Sequence, residues 1–161
     1  MRGRVLLRGD DLGMDIQGNL RNGLLAGLVG TMAMTISSTV EQRLRGRPAS
    51  TAPADAAAKI LGIHEFPSDR AKNAFSNTVH WSYGTGWGVV RALLRGLGLP
   101  PLAATGAHFA LVWGSEQVML PALEVAPPVT QWRKEEIAID VLHHLVYATA
   151  AGAAYELLNG R

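Results

Sequence analysis

The sequence predicts an all-α integral membrane protein, a four-helix bundle built from two duplicated helical hairpins. Long apolar segments carry their charges near their ends, and one pattern, H-x-x-Y-x-T-x-x-G-x4-L-L-x-G, occurs twice without a gap. Its copies run from His80 to Gly96 and from His144 to Gly160. Internal repeats of this kind indicate a duplicated structural unit. We expect the two hairpins to be related by a pseudo-twofold axis along the membrane normal, as in parallel repeats.

Composition bounds the remaining possibilities. A chain of 161 residues suits one domain, and only 17% of its residues are charged. The net charge of +2 is not gathered on one face, so no nucleic-acid partner is expected. Without cysteine, disulfides and thiol catalysis are excluded. Residues 1–19 form a polar N-terminal segment without the apolar core of a signal peptide, so we expect the first apolar helix to be an uncleaved insertion signal.

The first hairpin is predicted over residues 20–97. Its first helix covers residues 20–44 and is uncharged from Asn22 to Val40, which is long enough to cross a hydrocarbon core of about 30 Å. A long loop, 45–67, follows, with a short interfacial helix expected within 51–63. Pro67 and Ser68 then begin a helix that ends near Leu97.

The second hairpin is predicted over residues 98–161. Pro100 and Pro101 begin its first helix, which should end near Leu123, because proline is favoured in the first turn of a helix. Pro127, Pro128 and Thr130 mark the start of its second helix in the same way, and that helix should end near Leu158.

Small residues spaced four apart predict close helix packing. The pairs of Gly84 with Gly88 and Ala148 with Gly152 occupy equivalent positions in the repeat. We therefore expect the second and fourth helices to cross with these faces in contact, whereas homodimerisation through the first helix is the alternative. The predicted packing residues are Gly23, Gly27, Gly84, Gly88, Ala148 and Gly152.

Several ionisable residues lie within the predicted spans, where they are costly and therefore point to function. The first and third helices each carry a Glu-Gln dipeptide near their ends, and measured from the helix starts the histidines of the repeat fall in the same half of the membrane. If these faces converge, carboxylates and imidazoles form a ligand set that suits iron, manganese or zinc. The candidate cluster comprises Glu41, His80, Glu116, Asp140, His143 and His144.

Three interpretations of this cluster remain open. The first interpretation is that these residues make only structural polar contacts, because membrane histidines commonly hydrogen-bond to a neighbouring helix. No cofactor is expected in that case. Proton or ion handling is the second. Metal binding is the third, including haem held by His80 and His144. Asp140 and His143 resemble the Glu-x-x-His element of di-iron bundles, but the other helices lack it. Hydroxyls in the first helix should bond to backbone carbonyls, so no catalytic residue and no enzyme activity are expected.

Several segments resemble those of the YagU-type bacterial inner-membrane proteins, a family without an established molecular function. These are GLLAGLVG with Glu41 downstream, His80-x-x-Tyr83, and LPALEVAPPV followed by EIAIDVLHHLVY. The resemblance covers most of residues 20–158 and matches Glu41, His80, Pro128 and His144. It implies a multi-pass protein of a bacterial plasma (inner) membrane.

The sequence favours an accessory or interaction subunit without catalysis, embedded in the lipid bilayer beside another membrane protein or a second copy of itself. The alternative is a proton- or metal-handling membrane protein that uses Glu41, His80, Glu116 and His144, with His143 as the next candidate. A soluble helical bundle is a third possibility. Metal or proton handling requires these side chains to converge, whereas an accessory role leaves them on separate faces.

Overall fold

The computed structural model describes residues 9–160, with side chains from residue 16 onward. The helices are α1 (Gly9–Arg45), α2 (Ala52–Leu61), α3 (Asp69–Gly96), α4 (Pro101–Ala122) and α5 (Lys134–Leu158). A single 3-10 turn, Val129–Gln131, precedes α5, and the described residues contain no strand. The all-α prediction is confirmed.

Local sequence signals account for most of these boundaries. Ser68 caps α3, because its hydroxyl oxygen accepts the backbone N–H of Ala71 at 3.2 Å. Pro101 occupies the first position of α4, as expected. α1 starts at Gly9, earlier than the expected start at residue 20, so the described part of the polar N-terminal segment is helical. α5 starts only at Lys134, after the 3-10 turn.

α1 packs against both α3 and α5, and α4 packs against the same two helices. α2 lies against α3 in the connection between α1 and α3. The helices of each predicted hairpin are therefore neighbours, and α5 also contacts the first helix of the other hairpin.

A close helix crossing joins α1 to α3. A Cβ added to Gly23 would lie 2.6 Å from the carbonyl oxygen of Gly88, and one added to Gly27 would lie 2.9 Å from the backbone nitrogen of Gly88. The expectation that the small residues of α3 face those of α5 is therefore wrong. Two glycine-lined faces let the backbones of α1 and α3 touch, while Gly152 of α5 faces Thr105 of α4.

Among the described residues, two helices are long and apolar enough to cross a membrane: Ile16–Arg45 within α1, and α5. Only 28% and 33% of their most apolar stretches are buried inside the protein. Along α1, large apolar side chains recur every four residues and form an exposed stripe, as on a helix face in contact with lipid. The stripe comprises Leu24, Leu28, Met32, Ile36 and Val40.

A buried ion pair joins the C-terminal ends of α3 and α5. The guanidinium of Arg91 is fully buried and donates to Glu156 Oε1 at 2.9 Å, and Arg95 Nε lies 2.8 Å from the same oxygen. Arg91 also donates to the carbonyl oxygen of Pro101 at the start of α4. These contacts tie three helices together at one end of the molecule.

Candidate functional site

A cavity of about 420 Å³ lies at the other end of the helices. The cavity is lined by the C-terminal halves of α1 and α4, by the N-terminal halves of α3 and α5, and by α2. Five of the six side chains of the predicted cluster line it. These are His80, Glu116, Asp140, His143 and His144.

His144 lies between two carboxylates. Its Nε2 is 2.8 Å from Glu116 Oε2 on α4, and its Nδ1 is 3.5 Å from Asp140 Oδ1, one turn earlier on α5. Nδ1 is also 2.9 Å from the backbone carbonyl oxygen of Asp140. Because a carbonyl oxygen can only accept a hydrogen bond, Nδ1 must carry a proton and donate it.

The tautomer of His144 decides what lies between His144 and Glu116. With Nδ1 protonated, a neutral imidazole presents a lone pair at Nε2, and an ionised Glu116 also presents only lone pairs. Two such acceptors at 2.8 Å would repel each other. A positive ion must therefore lie between Nε2 and Oε2, and both a proton and a coordinated metal ion satisfy this requirement.

Asp140 supplies a third ligand-type group. Its Oδ2 accepts a hydrogen bond of 2.8 Å from the indole N–H of Trp113. Potential ligand atoms of Glu116, Asp140 and His144 lie within 4.8 Å of one another. One imidazole and two carboxylates suit manganese, iron or zinc. The indole and the Asp140 carbonyl orient two of these ligands, as outer hydrogen-bond partners do at metal sites.

Glu41 is held by a different partner. Arg47 donates its Nε to Glu41 Oε1 at 2.8 Å and a terminal nitrogen to Oε2. This hydrogen bonding raises the pKa of the Arg47 guanidinium above its ordinary value, so the pair stays ionised. His143 approaches the same carboxylate, with its Nε2 3.7 Å from Oε2, and its Nδ1 lies 2.8 Å from the hydroxyl of Ser37.

His80 reaches the cavity from α3 and contacts α1. The hydroxyl of Thr35 donates to the Thr31 carbonyl at 2.7 Å, so it must accept the hydrogen bond of 2.8 Å from His80 Nε2. In a neutral imidazole, Nδ1 of His80 is then the unprotonated nitrogen. The repeat is not symmetric here, because Glu116 contacts His144 whereas the equivalent Glu41 contacts Arg47.

The structure thus joins Glu116, Asp140 and His144, and it places Glu41 and His143 in a separate pair. Sequence reasoning missed Arg47 and Trp113. Arg47 follows Glu41 by six residues, which is beyond the three- or four-residue spacing of neighbours on a helix. The sequence around Trp113 does not indicate which residue its indole N–H contacts. No protein-family model, curated protein or solved structure matches this chain. Its function is therefore inferred from the geometry of the cavity.

Proposed function

We propose that this chain is a multi-pass membrane protein that binds a divalent transition-metal ion between α4 and α5, with Glu116, Asp140 and His144 as ligands. One observation carries the proposal. His144 Nε2 and Glu116 Oε2 lie 2.8 Å apart while the other ring nitrogen donates to a carbonyl oxygen. The pair therefore needs a proton or a metal ion between its two acceptor atoms.

Two further features favour a metal ion over a purely structural hydrogen bond. A structural contact between His144 and Glu116 needs no third carboxylate, yet Asp140 is held beside them by Trp113. The cluster also lines a cavity, which gives an ion a way in and leaves room for water or another ligand to complete its coordination. In the metal-free protein a proton fills the same position, and metal binding releases it.

The membrane part of the proposal extends to α3 and α4. One ionisable residue in each helix faces inward, since Arg91 of α3 and His108 of α4 are both fully buried. Exposed residues of α4 include Leu102 and Val118. We propose that all four long helices cross the bilayer as two related hairpins, with the pseudo-twofold axis along the membrane normal. The bacterial plasma membrane, and kinship with YagU-type proteins, rest on the sequence resemblance alone.

This proposal adopts the alternative function that the sequence left open. The sequence favours an accessory or interaction subunit, in which the polar side chains stay on separate faces. The approach of Glu116, Asp140 and His144 to one another supports cation binding instead. The sequence alternative also included Glu41 and His80. We leave both out of the metal site, because Glu41 pairs with Arg47 and His80 with Thr35.

The test is a Zn²⁺ titration of the detergent-purified full chain by calorimetry, with elemental analysis. Wild type should bind one equivalent. Glu116→Gln and His144→Ala should each lower the affinity by more than about 100-fold, beyond the 10–100-fold effect of an outer hydrogen-bond partner. His64→Ala is the matched control, because it removes an exposed histidine outside the cavity.

A folded wild-type protein that binds no Zn²⁺, Mn²⁺ or Fe²⁺ would refute the metal site. Equal affinity in wild type and His144→Ala would show that the metal binds elsewhere. Complete extraction of the protein from membranes by carbonate would refute the membrane part and restore the soluble bundle.

A further inference from the structure

A second carboxylate and imidazole face each other beside the proposed metal site. Glu41 comes from α1 and His143 from α5, and their side chains are 13% and 6% exposed. The 3.7 Å between Oε2 and Nε2 is too long for an ordinary hydrogen bond. Nε2 of His143 is buried and has no hydrogen-bond partner among the described residues. A buried imidazole nitrogen that faces a carboxylate without bonding to it is an incomplete pair.

Arg47 is the main positive charge at this pair, and Arg45 Nη1 also lies 3.3 Å from Glu41 Oε1 in a more exposed contact. The guanidinium of Arg47 donates to both oxygens of Glu41. Gly46, with a φ of 64°, turns the chain at the end of α1 and brings Arg47 back toward the helix. The Arg47 side chain is 36% exposed and lines the cavity, so it is more accessible than the carboxylate that it binds.

The pair repeats the arrangement of the first site on the adjacent residue of α5. His144 faces Glu116 of α4, whereas His143 faces Glu41 of α1. Asp140 precedes His143 by three residues and His144 by four, so it lies about one helical turn from both. Ser37, whose hydroxyl contacts His143 Nδ1, can accept a hydrogen bond from a protonated Nδ1, which leaves Nε2 as a ligand.

We infer that Glu41 and His143 form a second cation position, which Arg47 fills in this structure as a displaceable internal counter-ion. When the guanidinium leaves, a divalent transition-metal ion can bind there through a carboxylate oxygen and an imidazole nitrogen. The inference goes beyond the proposed function, because it uses a different carboxylate and a different histidine.

The experiment compares the Mn²⁺ stoichiometry of the full-length wild type and Arg47→Gln in detergent, by elemental analysis and electron paramagnetic resonance. Wild type should bind one equivalent and Arg47→Gln two, with a signal broadened by the nearby second ion. Adding Glu41→Gln or His143→Ala to the Arg47→Gln variant should return the Mn²⁺ stoichiometry to one equivalent. Arg43→Gln is the matched control: it removes the same charge two residues from Glu41, and it should leave one equivalent.

An unchanged single equivalent in folded Arg47→Gln would overturn the inference. A second equivalent that survives Glu41→Gln would overturn it as well. If Arg47→Gln does not fold, Arg47→Lys keeps a cation but loses the two-pronged contact, so Mn²⁺ should compete for Glu41 more easily than in wild type. An Arg47→Lys protein that binds no more Mn²⁺ than wild type at any concentration would then refute it.

The two proposals fail separately in this design. No Mn²⁺ in wild type, with one Glu41-dependent equivalent in Arg47→Gln, would refute the site at Glu116 and support the second position. One equivalent in both proteins would support the first site and refute the second.

Discussion

Gly88→Ala should separate α1 from α3 and destabilise the protein. The added Cβ would lie 2.7 Å from the backbone nitrogen of Gly27 and 2.8 Å from the carbonyl carbon of Gly23, and it would also collide with the Gly23 carbonyl oxygen. These are backbone atoms and cannot rotate away. Ordinary contact begins near 3.4 Å, so the crossing must widen by about 0.7 Å or more. Overpacking of this kind typically lowers the free energy of unfolding by about 1–3 kcal/mol. We expect a loss at the upper end of this range.

The assay is thermal unfolding in one detergent, followed by circular dichroism, with Gly86→Ala as the matched control. A Cβ on Gly86 would meet nothing within 4 Å, and alanine is favoured over glycine within helices by about 1 kcal/mol. Gly86→Ala should therefore be neutral or stabilising, whereas Gly88→Ala should unfold at a lower temperature. Equal unfolding temperatures for the two variants would refute the close crossing of α1 and α3.

Three further predictions concern the buried ion pair, the metal site and the membrane. Glu156→Gln leaves the buried Arg91 without its counter-charge and should cost about 3–5 kcal/mol in denaturant unfolding, whereas the exposed Glu135→Gln should cost almost nothing. Trp113→Phe removes the donor to Asp140 and should weaken Zn²⁺ binding by about 10–100-fold in calorimetry, with the stoichiometry unchanged. Met32→Lys places a charge midway along the exposed apolar stripe of α1, at a cost of about 2.5–3.5 kcal/mol, and should lower the fraction retained in membranes after carbonate washing. Unchanged retention would contradict a lipid-facing stripe.

Helix existence followed from local signals, whereas the glycine-lined helix crossing did not. Ser68 and Pro101 mark helix starts by chemistry that acts within one turn, so both starts could be predicted. The start of α5 was harder, because no serine or threonine caps it: the Glu136 carboxylate accepts the backbone N–H of Arg133 at 3.0 Å instead. The partner of Gly88 depended on which of several glycine-bearing faces meet in space, and the spacing of small residues does not contain that information.

The sequence predicted which residues belong to the candidate site better than it predicted which of them contact one another. The cost of ionisable groups within apolar segments singled out Glu116, Asp140 and His144, which the structure brings together. Spacing suggested that Asp140 would act with His143, yet Asp140 lies beside His144 instead. Glu41 binds Arg47. The reach of Arg47 depends on the turn at Gly46, a three-dimensional feature that helical periodicity does not describe.

X-ray absorption spectroscopy of the Zn²⁺-loaded, detergent-purified protein tests the central claim most directly. The account predicts a first shell of nitrogen and oxygen at about 2.0–2.2 Å, with the scattering pattern of one imidazole. That pattern should disappear in His144→Ala and persist in His64→Ala. A zinc spectrum without imidazole in the wild type, or one that keeps its imidazole in His144→Ala, would contradict the assignment of Glu116, Asp140 and His144 as a metal site.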